Sequence, residues 1–126
     1  MSKDNAELLR DTYEAFARGD IPGVIGVLDE DIEWNVPAVL PHAMHVRGRD
    51  DVGGFFQKLP ATWDDFGLEL DDVVASGHRV CVIGRASGTL DGEQASYGFV
   101  HAWTVRDGVC LRFDEYVDAS PELVTR

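Results

Sequence analysis

The sequence predicts an α+β domain in which a curved antiparallel sheet wraps around three N-terminal helices and encloses a cavity. Three observations carry this. Apolar residues recur at helical spacing through the first half of the chain. From Gly67 onward the period changes to two, and Gly-containing turn pairs cut that half into strand-length pieces. A sheet this long must cover one face, and the amphipathic helices are what the chain offers for the purpose.

The first helix reads from Asp4 to Arg18, with Leu9, Tyr13, Phe16 and Ala17 on one face and Leu8 and Thr12 beside it. Gly19 stops it, and Asp20 caps a second helix with Pro22 in its first turn and Ile21, Ile25 and Leu28 as its apolar face. The acidic run "DEDIE" (29–33) reads as a solvated turn. A short strand, "DIEWNV", and a loop, "PAVLPHAMHVRG", follow. The third helix, "RDDVGGFFQKL", places Val52, Phe55, Phe56 and Leu59 at i, i+3, i+4 and i+7, although Gly53 and Gly54 weaken it. Four strand-like segments complete the chain as a meander: "GLELDDVVASG", "HRVCVIGRASGTL", "QASYGFVHAWTV" and "GVCLRFDEYVD". Ser76-Gly77, Asp91-Gly92 and Asp107-Gly108 are the turns between them.

Composition excludes several function classes. The chain has 126 residues, enough for one domain spanning 1–126. A formal charge of −12 argues against nucleic acid or an anionic membrane as partner, because phosphate binding needs clustered Lys and Arg. No apolar run approaches the ~20 residues of a membrane helix. The charged N-terminus is unlike a secretory leader, and Cys81 and Cys110 read as buried thiols, so a cytoplasmic setting is expected. His42, His45, His78 and His101 lack metal-site spacing, so no metal and no cofactor is expected. Arg47 and Arg49 read as loop or helix-end contacts.

The last hairpin, "HAWTVRDGVCLRFDEY", carries the site. With Asp107 and Gly108 as a two-residue turn, His101 falls opposite Asp114, Trp103 opposite Arg112 and Phe99 opposite Tyr116. One face then holds Tyr97, Phe99, His101, Trp103, Arg112, Asp114 and Tyr116. The other holds Val100, Ala102, Thr104, Leu111 and Phe113, apolar enough to pair two copies of the chain. A three-residue turn would instead set His101 against Phe113. In the first register the aspartate fixes the imidazole tautomer, and either group can exchange a proton with a substrate near neutral pH. An ordinary polar pair that orders the sheet is the alternative. Trp34 and Trp63 offer flat walls for a ring-shaped ligand, Tyr13, Phe16 and Phe56 offer helix-borne lining, and His42 and His45 belong to a loop near the cavity mouth.

The segments "AFARGDIPGVIGVLDEDIEW", "HVRGRDDVGGFF" and "HAWTVRDGVCLRFDEYVD" together resemble the SnoaL-like polyketide cyclases and their ketosteroid-isomerase relatives, within the nuclear-transport-factor-2-like superfamily. That resemblance implies a cone-shaped, cystatin-like α+β barrel. Against ketosteroid isomerase, Trp34 or Asn35 stands where the catalytic base would be. Thr12, with Tyr13 adjacent, stands at the tyrosine donor, and His101 stands at the second donor. Against the cyclases, Asp114 and His101 match an aspartate and a histidine on the last two strands. Limonene-epoxide hydrolases would need a second carboxylate that Phe99 and His101 do not supply, and a histidine-centred dehydratase of the scytalone type is a further possibility.

The reading is thus a cofactor-independent enzyme of the isomerase, cyclase or dehydratase type. It would act on a small apolar, cyclic or polyketide-like molecule through an enolate-like intermediate. Asp114 would be the base, His101 the orienting or polarising group and Tyr116 a donor. Trp34, Tyr13, Phe16, Phe56, Trp63, Phe99, Trp103 and Arg112 would contact substrate, and a homodimer would form through the outer sheet face. A non-catalytic ligand-binding or dimerisation module of the same fold is the rival.

Overall fold

A computed structural model of the chain describes residues 4–118. Helix α1 (Asn5–Ala17) opens on Asp4, whose carboxylate accepts from the Glu7 amide at 2.7 Å. Asp20 caps the short α2 (Ile21–Ile25) by accepting from the Gly23 amide. Helix α3 (Arg49–Thr62) runs past the expected end at Leu59, through Pro60 to a Trp63 cap. Gly53 and Gly54 sit where a side chain would meet open space. Val52, Phe55 and Leu59 are buried as the i, i+3, i+7 pattern predicts.

Six strands form one sheet in the order β2-β1-β6-β5-β4-β3. They are β1 (Leu28–Val36), β2 (Met44–Arg47), β3 (Asp64–Ser76), β4 (Arg79–Leu90), β5 (Glu93–Arg106) and β6 (Val109–Val117). The β1–β6 pair is parallel and the other pairs are antiparallel. The sheet is curved and unclosed, with β2 and β3 at its edges. Gly84 allows close strand packing, because a Cβ there would strike the Glu69 carbonyl of β3. Two local expectations change. "DEDIE" is part of strand β1 rather than a turn, with Leu28 opening that strand instead of closing the face of α2. The supposed loop before α3 contains β2.

The decisive difference lies in the last hairpin. Asp107 (φ 53°) and Gly108 (φ 76°) form the expected two-residue turn, and Arg106 faces Val109 and Val105 faces Cys110 as counted. The next pair is Thr104 with Arg112, so Leu111 is an extra residue, a β-bulge. One inserted residue flips every later side chain to the opposite face. Trp103 therefore faces Phe113, Ala102 faces Asp114, His101 faces Glu115 and Val100 faces Tyr116. The expected His101–Asp114 and Phe99–Tyr116 pairs do not form. The bulge lets both Cys110 and Phe113, three residues apart, be buried.

Candidate active site

The inner face of β5 carries Tyr97, Phe99, His101 and Trp103, as expected, and β6 adds Phe113 and Glu115. All of these but Phe99, with Tyr13 and Phe16 of α1, Trp34 of β1, Phe55 and Phe56 of α3, and Phe66 and Leu68 of β3, line a hollow. It holds about 530 Å³ of space between atoms, open mouth included. The walls are mostly aromatic with a few placed polar groups, as in small-molecule sites.

Four of the polar side chains form a chain of contacts. The Glu115 carboxylate Oε2 lies 3.0 Å from His101 Nε2. His101 Nδ1 lies 2.5 Å from the Tyr13 hydroxyl, which also accepts from Trp103 Nε1 at 3.0 Å. Glu115 is 8% exposed and His101 6%. Phe99 stacks on the imidazole at 4.0 Å and 17°, and Phe113 meets it edge-on at 4.9 Å. A buried carboxylate without a partner would be costly, so the histidine contact is what makes Glu115 tolerable there. Burial, reinforced by the Glu115 charge, holds the Tyr13 hydroxyl well above its ordinary pKa, while the Trp103 hydrogen bond opposes that shift. Tyr13 is consequently a proton-bearing donor at neutral pH.

A second cluster borders the hollow. His42 accepts from Trp63 Nε1 through Nδ1 at 3.0 Å, and its Nε2 is 3.4 Å from the Tyr97 hydroxyl. Burial lowers the His42 pKa to about 4, and Lys58 and His101 act in the same sense against an upward pull from Glu115. His42 is thus a buried neutral ring and not the surface residue of a cavity mouth that its loop position suggests. His45 is exposed and donates to Asn35 at 3.0 Å.

The bulge moves three expected site residues outside. Asp114 is bound to Arg112 at 2.7 Å and to Asn35 at 2.9 Å on the outer face. Burial alone would raise its pKa, but those hydrogen bonds outweigh it and leave the carboxyl below its ordinary value. Arg112 also binds Glu33 at 2.5 Å. Tyr116 is 62% exposed. Of the other expected contacts, Trp34, Tyr13, Phe16, Phe56 and Trp103 line the hollow. Trp63 is packed behind His42 and Phe99 behind His101, so neither lines it directly. The sequence reading missed Glu115, and it placed His42 near the cavity mouth without giving it a role in the site. A signal for Glu115 was available: it is a lone carboxylate in the period-two stripe Phe113, Glu115, Val117.

A family model described as a SnoaL-like domain matches residues 9–113. The chain belongs to the SnoaL-like family. Solved structures agree with this. An NTF2-like protein of unknown function from Burkholderia pseudomallei is 31% identical, covering 93% of this chain and 92% of that one, with a TM-score of 0.85. TerC, crystallised with polyporic acid, is 28% identical over 97% of this chain and 98% of that one, with a TM-score of 0.84. A Pseudomonas putida protein titled as a polyketide cyclase is 19% identical over 91% and 92% of the two chains, with a TM-score of 0.75, and shows the shared fold alone. No curated protein matches the chain in sequence. No helix among the described residues is long and apolar enough to cross a membrane.

Proposed function

We propose that this SnoaL-like chain is a cofactor-independent enzyme that moves a proton alpha to the carbonyl of a small apolar ring compound. The observation that carries the reading is the buried Glu115–His101–Tyr13 chain at the wall of an aromatic hollow. Glu115 is the base. It takes the α-proton, the C–H electron pair becomes the new C=C bond, and the carbonyl π pair moves to oxygen. His101 bridges base and donor, with Glu115 at one ring nitrogen and Tyr13 at the other. Tyr13, held by Trp103, turns its one O–H from His101 Nδ1 to the developing enolate oxygen. The enolate then reprotonates elsewhere, attacks a second carbonyl, or expels a β-hydroxyl as water. These outcomes are isomerisation, aldol cyclisation and dehydration. Glu115 and Tyr13 thus take the roles that the uninterrupted register gave to Asp114 and Tyr116.

The test is exchange. In D2O the full chain should speed deuterium incorporation alpha to the carbonyl of 1-tetralone above the buffer rate at the same pH, read by proton NMR. Tight binding of the ketone without faster exchange would replace this reading with that of a ligand-binding module.

Pairing of two copies through the outer face is part of the same reading. Ile83, Val100 and Tyr116 lie side by side across β4, β5 and β6, and Ile83 and Tyr116 are exposed apolar side chains. Sedimentation at micromolar concentration should give twice the 13.9 kDa of one chain. The double substitution Ile83→Lys, Tyr116→Lys should return it to the single-chain mass. A wild-type chain that sediments only at the single-chain mass would overturn the pairing. Free thiols at Cys81 and Cys110, the latter pushed up to a pKa of about 12 by burial, suit a reducing, cytoplasmic setting.

A further inference from the structure

The proton-transfer chain leaves two donors at the hollow unanswered. The first is Trp34. Its Nε1–H is the one buried side-chain polar atom without a hydrogen-bond partner among the described residues, and the side chain is 3% exposed. The indole is hemmed in by Phe113 at 4.1 Å, Phe55 at 5.3 Å, Trp103 at 5.7 Å and Phe56 at 5.8 Å. None of these rings carries an acceptor, and the only N–H among them already serves Tyr13. All four line the hollow with Trp34, so the hollow is the space beside this indole in which a bound molecule can offer an acceptor. Native proteins rarely leave a buried donor unpaired, and such groups call for a specific explanation.

The second donor is Tyr97. Trp63 can only donate, so His42 Nδ1 must accept, and the neutral imidazole carries its hydrogen on Nε2. That hydrogen points at the Tyr97 oxygen. The tyrosine's own O–H hydrogen is then left over at the wall of the hollow. Charge narrows the ligand further. Among the described residues no Lys or Arg lines the hollow, whereas Glu115 does. A carboxylate or phosphate ligand would therefore be repelled without any compensating cation.

We propose that Trp34 is a hydrogen-bonding residue of a second polar subsite, where its Nε1–H, supported by the Tyr97 hydroxyl, receives oxygen acceptors of an uncharged ring compound oxygenated at more than one position. This rests on the hollow being the substrate site, and it gives Trp34 a specific polar role beyond that of a flat wall. It also narrows the substrate class from apolar rings in general to neutral, multiply oxygenated ones.

The three tryptophans make the test direct, because each contributes one indole N–H cross-peak in a proton–nitrogen correlation spectrum of the full chain. Trp34→Phe assigns the Trp34 peak by its loss. The probes are tetralin, 1-tetralone and 6-hydroxy-1-tetralone, which carry no, one and two oxygens. The Trp34 indole proton should move downfield on titration with 6-hydroxy-1-tetralone and stay in place with tetralin. Trp34→Phe should weaken binding of 6-hydroxy-1-tetralone by up to about tenfold, the range of one neutral hydrogen bond, and leave tetralin binding within about twofold. Should Trp34→Phe fail to fold, Trp63→Phe and Trp103→Phe assign the remaining peak by elimination, and the wild-type titration decides.

Three results would overturn the subsite. The Trp34 proton could stay in place while other peaks titrate with the oxygenated probe. Trp34→Phe could weaken tetralin and 6-hydroxy-1-tetralone equally. Or no probe could shift any peak at millimolar concentration. Because these readouts are binding, they separate from the exchange experiment: a chain that shows the Trp34 shift but no deuterium exchange keeps the subsite and loses the catalytic reading.

Discussion

Glu115→Gln should lower the rate of deuterium exchange into 1-tetralone by about 10²- to 10⁴-fold, the range for removing a positioned general base. Asp114→Asn should leave that rate within about twofold. The two residues are sequence neighbours on opposite faces of β6, and this contrast isolates the face. Glutamine keeps the size of the side chain and can still accept from His101 Nε2 through its amide oxygen, so the local packing is retained. What it loses is the ability to take a proton from carbon. Asparagine at 114 keeps an oxygen for Asn35 and Arg112 on the outer wall, where half-exposed ionic contacts contribute little. Thermal melts of both variants provide the control for folding. The opposite pattern, with Asp114→Asn inactive and Glu115→Gln active, would mean that β6 pairs without the Leu111 bulge in solution.

Most of the fold was legible because each element announces itself locally. Asp4 and Asp20 cap helices, Asp91-Gly92 and Asp107-Gly108 make turns in which both residues take positive φ, and β4 and β5 alternate cleanly. The half of the site on β5 was legible for the same reason, because alternation fixed Tyr97, Phe99, His101 and Trp103 to one face without reference to a partner strand. The half on β6 was not. Its register is counted outward from the turn, so one bulged residue anywhere along the path reverses every assignment beyond it. Nothing in "VCLRF" marks Leu111 as the extra residue until the burial of both Cys110 and Phe113 is known. Apolarity marks the observed face more directly than the distance from the turn does. Phe113 belongs against Trp103, and the register that pairs them also brings in Glu115. Segments supported only by tertiary pairing, such as β2 beside β1, were illegible for a related reason: four residues with no internal pattern take their strand form from the neighbour.

Loop histidines are ordinarily solvated, whereas His42 is buried, and its burial carries a measurable consequence for stability. The ring is 1% exposed and packed against Phe55, Trp63, Phe66 and Tyr97. Its pKa falls from 6.5 to about 4, chiefly through burial, with Lys58 and His101 adding to the fall and Glu115 opposing it. A depressed histidine pKa means that the unfolded chain binds the proton first as pH drops. The stability this residue contributes is therefore complete above about pH 6.5 and is lost as pH falls through that value toward 4. The loss amounts to about 3 kcal/mol at most, at 1.36 kcal/mol for each tenfold change in proton affinity. Urea titrations at pH 7.0, 5.5 and 4.5 should show unfolding free energy declining more steeply in the wild-type chain than in His42→Gln, which has no titrating group and can still accept from Trp63. Carboxylates titrate in both proteins and cancel in the comparison. Equal slopes for the two would show that His42 takes up its proton as readily in the folded chain as in the unfolded one. That could only follow if water or a carboxylate reached the ring, and the Tyr97 hydroxyl would then no longer be the free donor that the closed Trp63–His42–Tyr97 arrangement makes it.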